Sequence, residues 1–321
     1  MILSVSRRTD IPNYYSEWFL NRIREGFLCV RNPMNAHQVS RIDLSPELVD
    51  CIVFWTKNPL PLMDRLEELW EYPYYFQFTL TGYGKDIEPN LPDKRTVLIE
   101  AFRELSRRIG KGKVIWRYDP ILFTERYTEA YHVRAFGEIA GALRGYTERV
   151  VISFVDLYAK TRKNMQGICM VDPEKEALTK FASGLSQIAG QNGMKIASCA
   201  EAIDLAACGI EHNSCIDKQL IERIIGYKIS ASKDKNQRKE CGCIESVEVG
   251  TYHTCQNGCK YCYANDSVGR VRENYALYDP DSPILCSRIT DQDVITERKV
   301  RSLKMTQMSL FDKKLNKVID N

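Results

Sequence analysis

The stretch SVEVGTYHTCQNGCKYCYAN, residues 246–265, contains Cys255, Cys259 and Cys262 in the spacing C-x3-C-x2-C, with Tyr261 directly before the last cysteine. Three thiolates on one short loop can bind three irons of a [4Fe–4S] cluster and leave the fourth iron without a protein ligand. An open metal position allows chemistry, as it does in catalytic zinc sites. The apolar residues before the loop predict a strand that runs into it.

This spacing resembles the cluster motif of radical S-adenosylmethionine (SAM) enzymes. The resemblance implies that the three cysteines, beside Tyr261, bind a [4Fe–4S] cluster whose open iron binds SAM. It also implies an electron donor such as a flavodoxin or a ferredoxin. A zinc site is the alternative use of the same thiolates, but zinc sites usually combine two C-x2-C pairs. We therefore favour iron–sulfur ligation.

The composition limits the class of protein. With 321 residues the chain can form one large core, or one core with a small appendage. Its 45 basic and 42 acidic residues leave no strong overall attraction for polyanions. No apolar run is long enough to span a bilayer, and MILSVSRRTD has charges where a signal peptide would be apolar. We expect a cytoplasmic protein, in which the 12 cysteines serve as metal or redox ligands rather than disulfides.

Short apolar segments alternate with segments of helical periodicity. Most of the short segments are apolar throughout, as expected for parallel strands that are covered on both faces. The alternation predicts an α/β fold, a full or partial (β/α) barrel. The predicted strands are Ile2–Ser6, Cys51–Trp55, Tyr75–Leu80, Val114–Trp116, Val150–Phe154, Lys195–Ser198 and Ser246–Gly250. Apolar stripes predict helices that end at Gly26, near Trp70, at Gly110, at Gly145 and at Asn192-Gly193.

The strand that leads into the cysteine loop comes last, whereas radical SAM barrels place it first. Moving the first strand to the end leaves a closed barrel unchanged, so we predict a circularly permuted, radical-SAM-like partial TIM barrel. Ser246–Gly250 would then lie beside Ile2–Ser6. Changes in composition and periodicity along the chain predict three segments. These are a barrel body over 1–230, a cysteine-rich segment over 231–270 that completes the barrel, and a C-terminal extension and tail over 271–321.

Each predicted strand ends in a polar or charged cluster. Active sites of β/α barrels lie at the carboxyl ends of the strands, so we predict catalytic roles there. The candidates are Arg7, Arg8, Asp10, Lys57, Arg117, Asp119, Asp156 and Glu201. Burying Arg and Lys beside tryptophan is costly unless an anion is bound, which indicates a site for carboxylate or phosphate, including the carboxylate of SAM. Ordinary polar helix caps and loops are the alternative explanation.

The remaining cysteines divide into two groups. Cys241 and Cys243 precede the last predicted strand, and Cys199 and Cys215 flank the end of the sixth. These four predict a second metal site, either zinc or an auxiliary iron–sulfur cluster. The alternative is that Cys199 is a small buried hydrophobe. We expect Cys29, Cys51, Cys169 and Cys286 to be packing residues.

Near the end of the chain, Gln307–Phe311 (QMSLF) resembles the Q-L-S-L-F peptide with which bacterial DNA repair and replication proteins bind the sliding clamp. In that interaction an extended segment inserts two adjacent apolar side chains, here Leu310 and Phe311, into a pocket. Packing of these two side chains on the barrel is the alternative.

The motifs SRRTDIP, FWTKNP, WRYDPI, CAE, CGC and TCQNGCKYCYAN together resemble an uncharacterised bacterial family. That family joins a barrel-like body to a C-terminal cysteine cluster similar to the radical SAM one, and it implies a cofactor but no reaction. We expect an enzyme that generates a 5′-deoxyadenosyl radical from SAM to act on an unknown substrate, anionic or related to nucleic acid. The alternatives are a non-catalytic, metal-stabilised DNA-associated protein recruited by its tail and an iron–sulfur electron carrier.

Overall fold

The computed structural model describes residues 1–305. The strands are β1 (Ile2–Val5), β2 (Phe27–Arg31), β3 (Gln38–Asp43), β4 (Cys51–Thr56), β5 (Tyr74–Thr79), β6 (Val114–Ile121), β7 (Arg149–Phe154), β8 (Lys195–Ser198), β9 (Glu211–His212), β10 (Val247–Glu248) and β11 (Val294–Glu297). The helices are α1 (Ile11–Tyr14), α2 (Ser16–Glu25), α3 (Leu60–Met63), α4 (Ile99–Ile109), α5 (Glu129–Ala142), α6 (Ala159–Asn164), α7 (Lys175–Gln191), α8 (Lys218–Ile225) and α9 (Val268–Tyr275).

Eight strands form one parallel sheet in the order β10-β1-β4-β5-β6-β7-β8-β9. The α/β class is therefore confirmed. The last strand of the sheet lies beside the first, with Leu3 in register with Val247 and Ser4 with Glu248. This confirms the predicted pairing of the two chain segments. The edge strands of the sheet are β9 and β10, and each has only two residues. The sequence pattern therefore predicts their positions less accurately than those of the longer strands.

Helices cover one face of this sheet. Side chains of α2, α4, α5 and α7, among them Trp18, Phe102, Phe136 and Leu185, join one buried apolar cluster with alternate residues of the strands. The predicted helices up to Gly26, Gly110 and Asn192 are confirmed, with Gly26 in the left-handed conformation that favours glycine after a helix. These helices form because their apolar stripes recur at helical spacing.

The predicted helix near Trp70 is wrong. Only the short helix α3 and one 3-10 turn over Leu66–Leu69 form there, and Trp70 is exposed. Prolines at positions 59, 61 and 73 bracket the segment, and each limits how far a helix can extend.

A second, three-stranded sheet was not predicted. The strands β2 and β3 form an antiparallel hairpin, and β11 pairs with β3 in parallel. The hairpin turns around Met34, whose side chain is largely exposed. β3 consists mostly of polar residues, whereas β2 is apolar except for Arg31.

The second face of the large sheet is filled by the later part of the chain. Val53, Tyr75, Ile115 and Val151 point to this face and pack with Leu220 and Ile221 of α8 and with the cysteine-rich segment. Because strand residues alternate between the faces, the side chains two positions further along these strands also enter this inner face. The strand ends thus place polar groups directly beside the later segments.

Residues beyond 270 pack on the body through hydrogen bonds from Trp18 Nε1 to Ser282 O and from the Met1 amine to Arg301 O, both under 3 Å. The division into three segments stays a prediction. Of the helices in residues 1–305, none combines the length and the hydropathy that crossing a bilayer requires. The predicted clamp-binding peptide Gln307–Phe311 lies outside the described residues and also stays a prediction.

Candidate functional site

The cysteine loop begins where β10 ends, at the carboxyl edge of the sheet and beside β1. Hydrogen bonds from several elements hold its backbone. Tyr15 Oη donates to Thr254 O, Asn90 Nδ2 to Gln256 O, Lys260 N to Ile87 O, and Asn164 Nδ2 to Cys262 O, over 2.6–2.9 Å. Since each bond reaches a different part of the chain, the loop is fixed by the fold rather than by its own turns.

Burial raises the pKa of all three loop thiols. It raises the pKa of Cys259 to about 12 although the ammonium of Lys57 opposes the shift. Charges on the neighbouring sulfurs add to the effect because like charges repel. A cation bound between the thiols would remove both penalties, because metal coordination deprotonates a thiol outright.

A buried carboxylate ties the loop to β1 and β4. Asp10 accepts hydrogen bonds from Lys57 N at 2.8 Å and from Asn257 Nδ2 at 3.0 Å. The side-chain amide oxygen of Asn257, Oδ1, in turn accepts a hydrogen bond from Tyr14 Oη at 2.9 Å. Burial raises the pKa of Asp10, while the bond from Lys57 opposes the shift. The carboxylate thus positions Asn257, which lies between two of the loop cysteines.

A second network joins the loop to β4 and the segment after β5. The Lys57 ammonium donates to Glu88 Oε1 and to Tyr261 Oη, each at 2.7 Å, and Lys94 also pairs with Glu88. The side chain of Glu88 is fully buried. Burial raises its pKa, but the two ammonium groups outweigh burial and hold it well below the usual range. Tyr261, the aromatic residue of the motif, is therefore bound through a buried charge network.

Two predicted arginines meet on the inner face around Trp55. The Arg7 and Arg117 guanidiniums lie 5.3 and 5.2 Å from the centre of the Trp55 ring. Arg117 also forms a two-pronged ion pair with Asp119. Among the described residues, Arg7 Nη2 is buried without a hydrogen-bond partner. A buried guanidinium nitrogen that lacks an acceptor is the kind of group that an anion satisfies.

The remaining predicted residues lie in separate places. Asp156 pairs with Arg238, and Glu201 accepts a hydrogen bond from Phe154 N at 2.8 Å. Burial raises the pKa of Glu201 to about 7. Arg8 donates to Gly250 O at 3.3 Å and stacks on Tyr252. The structure thus divides the predicted catalytic set into an inner group, a loop group and these outer residues.

The second cysteine set comes together on the inner face. Cys199 Sγ lies 3.3 Å from Cys215 Sγ. Cys243 lies close enough to Cys215 and to Cys241 to influence the pKa of both thiols. Its proximity lowers the pKa of Cys241 to about 7. Four cysteines from distant parts of the sequence therefore form one contiguous group.

Neither cysteine set forms a preformed metal site among the described residues. Within residues 1–305, no group of three or more His, Cys, Asp or Glu side chains is arranged to hold a metal ion. The donor types nonetheless suit soft metals and iron–sulfur clusters, which thiolates select. Cys29, Cys51 and Cys286 are buried as expected, but Cys169 is exposed, so its predicted packing role is wrong.

Sequence reasoning missed several residues of these networks. They are Glu88, Lys94, Asn257, Glu248, Asn213 and Asp234. Glu248 accepts from Ser4 Oγ at 2.9 Å and from Arg7 N at 3.1 Å. Only Asn257 had a local signal, since it lies inside the C-x3-C spacing; Glu88 and Lys94 lie on a connection whose partners depend on the fold.

A cavity of about 310 Å³ lies next to the loop. Ile87 lines this cavity and its carbonyl oxygen accepts the hydrogen bond from Lys260 N. The other lining residues are Asp86, Thr124, Glu125, Arg126, Tyr127, Gly167, Ile168 and Cys169. Its volume is at the lower end for small-molecule sites.

The model of a protein family described as Domain of unknown function (DUF1848) matches residues 2–264. A comparison with curated proteins found no match. Among solved structures, a "putative alpha-L-fucosidase" from Bacteroides thetaiotaomicron is similar with 11% identity and a TM-score of 0.25, over 66% of this chain and 77% of that chain. A variant of the carboxyl transferase domain of pyruvate carboxylase from Rhizobium etli, with pyruvate, has 10% identity and a TM-score of 0.29, over 70% and 33%. At these TM-scores neither likeness bears on the function.

Proposed function

We propose a function for this chain, which belongs to the family described as Domain of unknown function (DUF1848), from the chemistry of its cysteine loop. The protein is a radical SAM-type enzyme whose [4Fe–4S] cluster is bound by Cys255, Cys259 and Cys262. One observation carries the proposal. The loop with its three thiols follows β10 at the carboxyl edge of a parallel sheet, next to the first strand, where α/β folds bind ligands.

The residues around the loop fit an anionic cluster. Three cysteine thiolates are the ligands that leave one iron of a [4Fe–4S] cluster open. The ammonium of Lys57 lies close enough to lower the pKa of both Cys259 and Cys262. Loading requires the thiols to turn toward one another, which the small cysteine side chain does by rotation about one bond.

The protein's own contribution is to hold and seal this loop. Glu88 keeps Lys57 and Lys94 charged and close to Tyr261, so the cationic side of the loop does not move away. Asp10 positions Asn257 by accepting a hydrogen bond from its side-chain amide. Apolar residues cover the same loop: Tyr83, Ile87, Leu122, Tyr127 and Met165 are buried in one cluster with Cys259 and Tyr261. This cover shields Cys259 from water, while Cys255 and Cys262 are partly exposed.

When bound and reduced, the cluster supplies the electron that cleaves SAM to methionine and a 5′-deoxyadenosyl radical, which takes a hydrogen atom from the substrate. Arg7 provides the anion contact, for the carboxylate of SAM or for an anionic substrate, because its Nη2 has no acceptor among residues 1–305. An electron donor of the flavodoxin or ferredoxin class completes the reaction.

The same proposal includes the finer fold, a circularly permuted partial barrel. Two observations support it. The last strand pairs with the first, and Ile244 N, near β10, donates to Ile216 O, near β9, at 3.2 Å. This bond brings together the segments next to the two edges of the sheet.

The proposal is tested with protein purified and reconstituted anaerobically. We expect about four irons and four sulfides per chain at the loop, and release of 5′-deoxyadenosine and methionine when dithionite and SAM are added. A variant with Cys255, Cys259 and Cys262 all changed to Ala should lose the cluster and the SAM cleavage. The matched control changes Cys29, Cys169 and Cys286 to Ala and should keep both.

Two results would contradict the proposal. One is stoichiometric zinc at the loop with no iron after reconstitution, which would make the loop a structural site. The other is intact SAM after long incubation with a fully loaded and reduced cluster, which would leave electron transfer as the function.

A further inference from the structure

The four cysteines of the inner face come from separate parts of the fold. Cys199 follows β8, Cys215 follows β9, and Cys241 and Cys243 precede β10. They meet among apolar side chains of the sheet, and Cys215, Cys241 and Cys243 are buried. Thiols gathered from three chain segments into one apolar cluster have a function only if they pack, form disulfides or bind a metal.

Hydrogen-bond donors surround these sulfurs. Arg117 Nη1 donates to Cys215 Sγ at 2.7 Å, and Asn213 Nδ2 donates to the same sulfur at 3.3 Å. The backbone N–H of Ile216 donates to Cys243 Sγ at 3.3 Å. Cys215 thus has two donors and Cys243 has one. A neutral packing thiol does not need such donors, whereas a metal-bound thiolate is stabilised by each of them.

We propose that Cys199, Cys215, Cys241 and Cys243 bind one zinc ion. A single tetrahedral zinc with Zn–S bonds of about 2.3 Å places its sulfurs about 3.8 Å apart. The Sγ atoms of Cys199 and Cys215 are 3.3 Å apart, so this pair would have to move apart by only about half an ångström to bind the same ion. A [4Fe–4S] cluster does not fit this spacing, because each thiolate then binds a different iron and the sulfurs lie much farther apart.

The charges around the group suit a zinc tetrathiolate, which carries two negative charges. Arg117 contacts Cys215 directly, and the Arg7 guanidinium lies close enough to Cys243 for that thiol to help raise the pKa of the guanidinium. Asp119 offsets part of the Arg117 charge, and Asp234 lies 3.9 Å from Arg7. The zinc site is thus partly compensated by cations that are themselves buried.

The zinc site would fasten the two edges of the sheet. Cys199 and Cys215 lie on the side of β8 and β9, and Cys241 and Cys243 on the side of β10. The Ile244 N to Ile216 O hydrogen bond already joins these two sides at 3.2 Å. The short edge strands form few backbone hydrogen bonds, and zinc would join the two edges in place of them. The role of the zinc is therefore structural and separate from the proposed chemistry at the loop.

The experiment measures zinc and iron separately in full-length protein purified anaerobically from zinc-supplemented cells. We expect one zinc per chain in the wild type and in the variant with Cys255, Cys259 and Cys262 changed to Ala. Changing Cys241 and Cys243 to Ser should remove the zinc. The control is Cys51→Ser. Cys51 lies in the same apolar cluster, but its thiol donates to Ile52 O and is not one of the four proposed ligands, so this variant should keep the zinc.

A second measurement covers the case in which the double variant does not fold. Wild-type protein stripped of metal by a chelator is titrated with Co²⁺, and a thiolate-to-cobalt absorption band that saturates at one equivalent supports the site. Alkylation with mass spectrometry should then show these four thiols protected by the metal. A Cys199–Cys215 disulfide in the native protein, iron instead of zinc at these four residues, or free reactive thiols in zinc-supplied protein would overturn the proposal. Wild-type protein that binds zinc at these four residues but no iron at the loop would contradict only the proposed function.

Discussion

The chain contains two cysteine sets that differ in how they are built. The loop set, Cys255, Cys259 and Cys262, comes from eight consecutive residues and lies at the carboxyl edge of the sheet. The inner set joins residues that are up to 44 positions apart, on the face opposite the covering helices. The loop thiols are held indirectly, by a charge network around Tyr261, whereas guanidinium and amide donors contact the inner sulfurs directly.

This difference supports the different roles that we propose for the two sets. An edge position with three ligands leaves a coordination site for a substrate or cofactor. A buried position with four ligands closes the metal off and favours a structural site. The two sets can therefore be damaged independently, and each prediction below is a way to separate them.

The largest effect is expected from Glu88→Ala. This change leaves the ammoniums of Lys57 and Lys94 buried without a counter-charge, and breaking such a pair costs about 3–5 kcal/mol of the free energy of unfolding. Iron retention at the loop should fall with it, while zinc at the inner set stays. Urea unfolding and metal analysis measure both.

The control for this variant is Glu138→Ala, which removes a carboxylate paired with Arg95 at 2.8 Å on the surface. An exposed pair contributes about 0–1 kcal/mol, so this variant should unfold like the wild type. Equal destabilisation by both changes would show that the buried network does not hold the loop.

A metal-independent acid effect comes next in size. His132 is fully buried between Tyr118 Oη and Leu122 O, and burial lowers its pKa to about 4. The unfolded chain protonates this ring at about pH 6.5. Stability from the neutral ring is therefore complete above pH 6.5 and decreases as the pH falls toward 4, by about 3 kcal/mol in total.

Urea unfolding of metal-free protein between pH 7 and pH 4 measures this loss, and the slope with pH should be smaller in His132→Gln. An equal slope in the two proteins would contradict the assignment. The result sharpens the comparison, because acid release of metal from either cysteine set is interpretable only after this background is subtracted.

The smallest effects are expected from one glycine in each set. Gly258 lies in the loop with φ +69°, and a Cβ there would lie 3.0 Å from Asn90 Nδ2 and from Pro89 Cγ. Gly258→Ala should cost about 1–2 kcal/mol and weaken iron binding alone. Gly242 lies between Cys241 and Cys243, where a Cβ would overlap Ser214 Oγ, so Gly242→Ala should weaken zinc binding alone.

The control is Gly190→Ala within α7, where a Cβ meets nothing within 4 Å. It should stabilise the protein by up to about 1 kcal/mol and change neither metal. Loss of both metals in either Gly258→Ala or Gly242→Ala would show that the two cysteine sets are coupled rather than separate.

Much of the fold was readable from local pattern. The seven predicted strands form, and the last lies beside the first, because buried parallel strands are apolar throughout. The hairpin was missed although β2 is apolar over residues 27–30, because its partner β3 is mostly polar and has no continuous apolar run. The helix near Trp70 was wrong because prolines outweigh an apolar stripe.

The sequence by itself determined the loop set, since ligand spacing within eight residues is local information and survives any arrangement of the strands. Only the tertiary structure decided that Glu88 contacts Tyr261, that Arg7 and Arg117 meet on Trp55, and that Cys199 contacts Cys215. The physical reason is the strand order: β10 pairs with β1, and the segments next to β9 and β10 meet on the inner face. Distances across a sheet depend on that order, and no spacing along the chain encodes them.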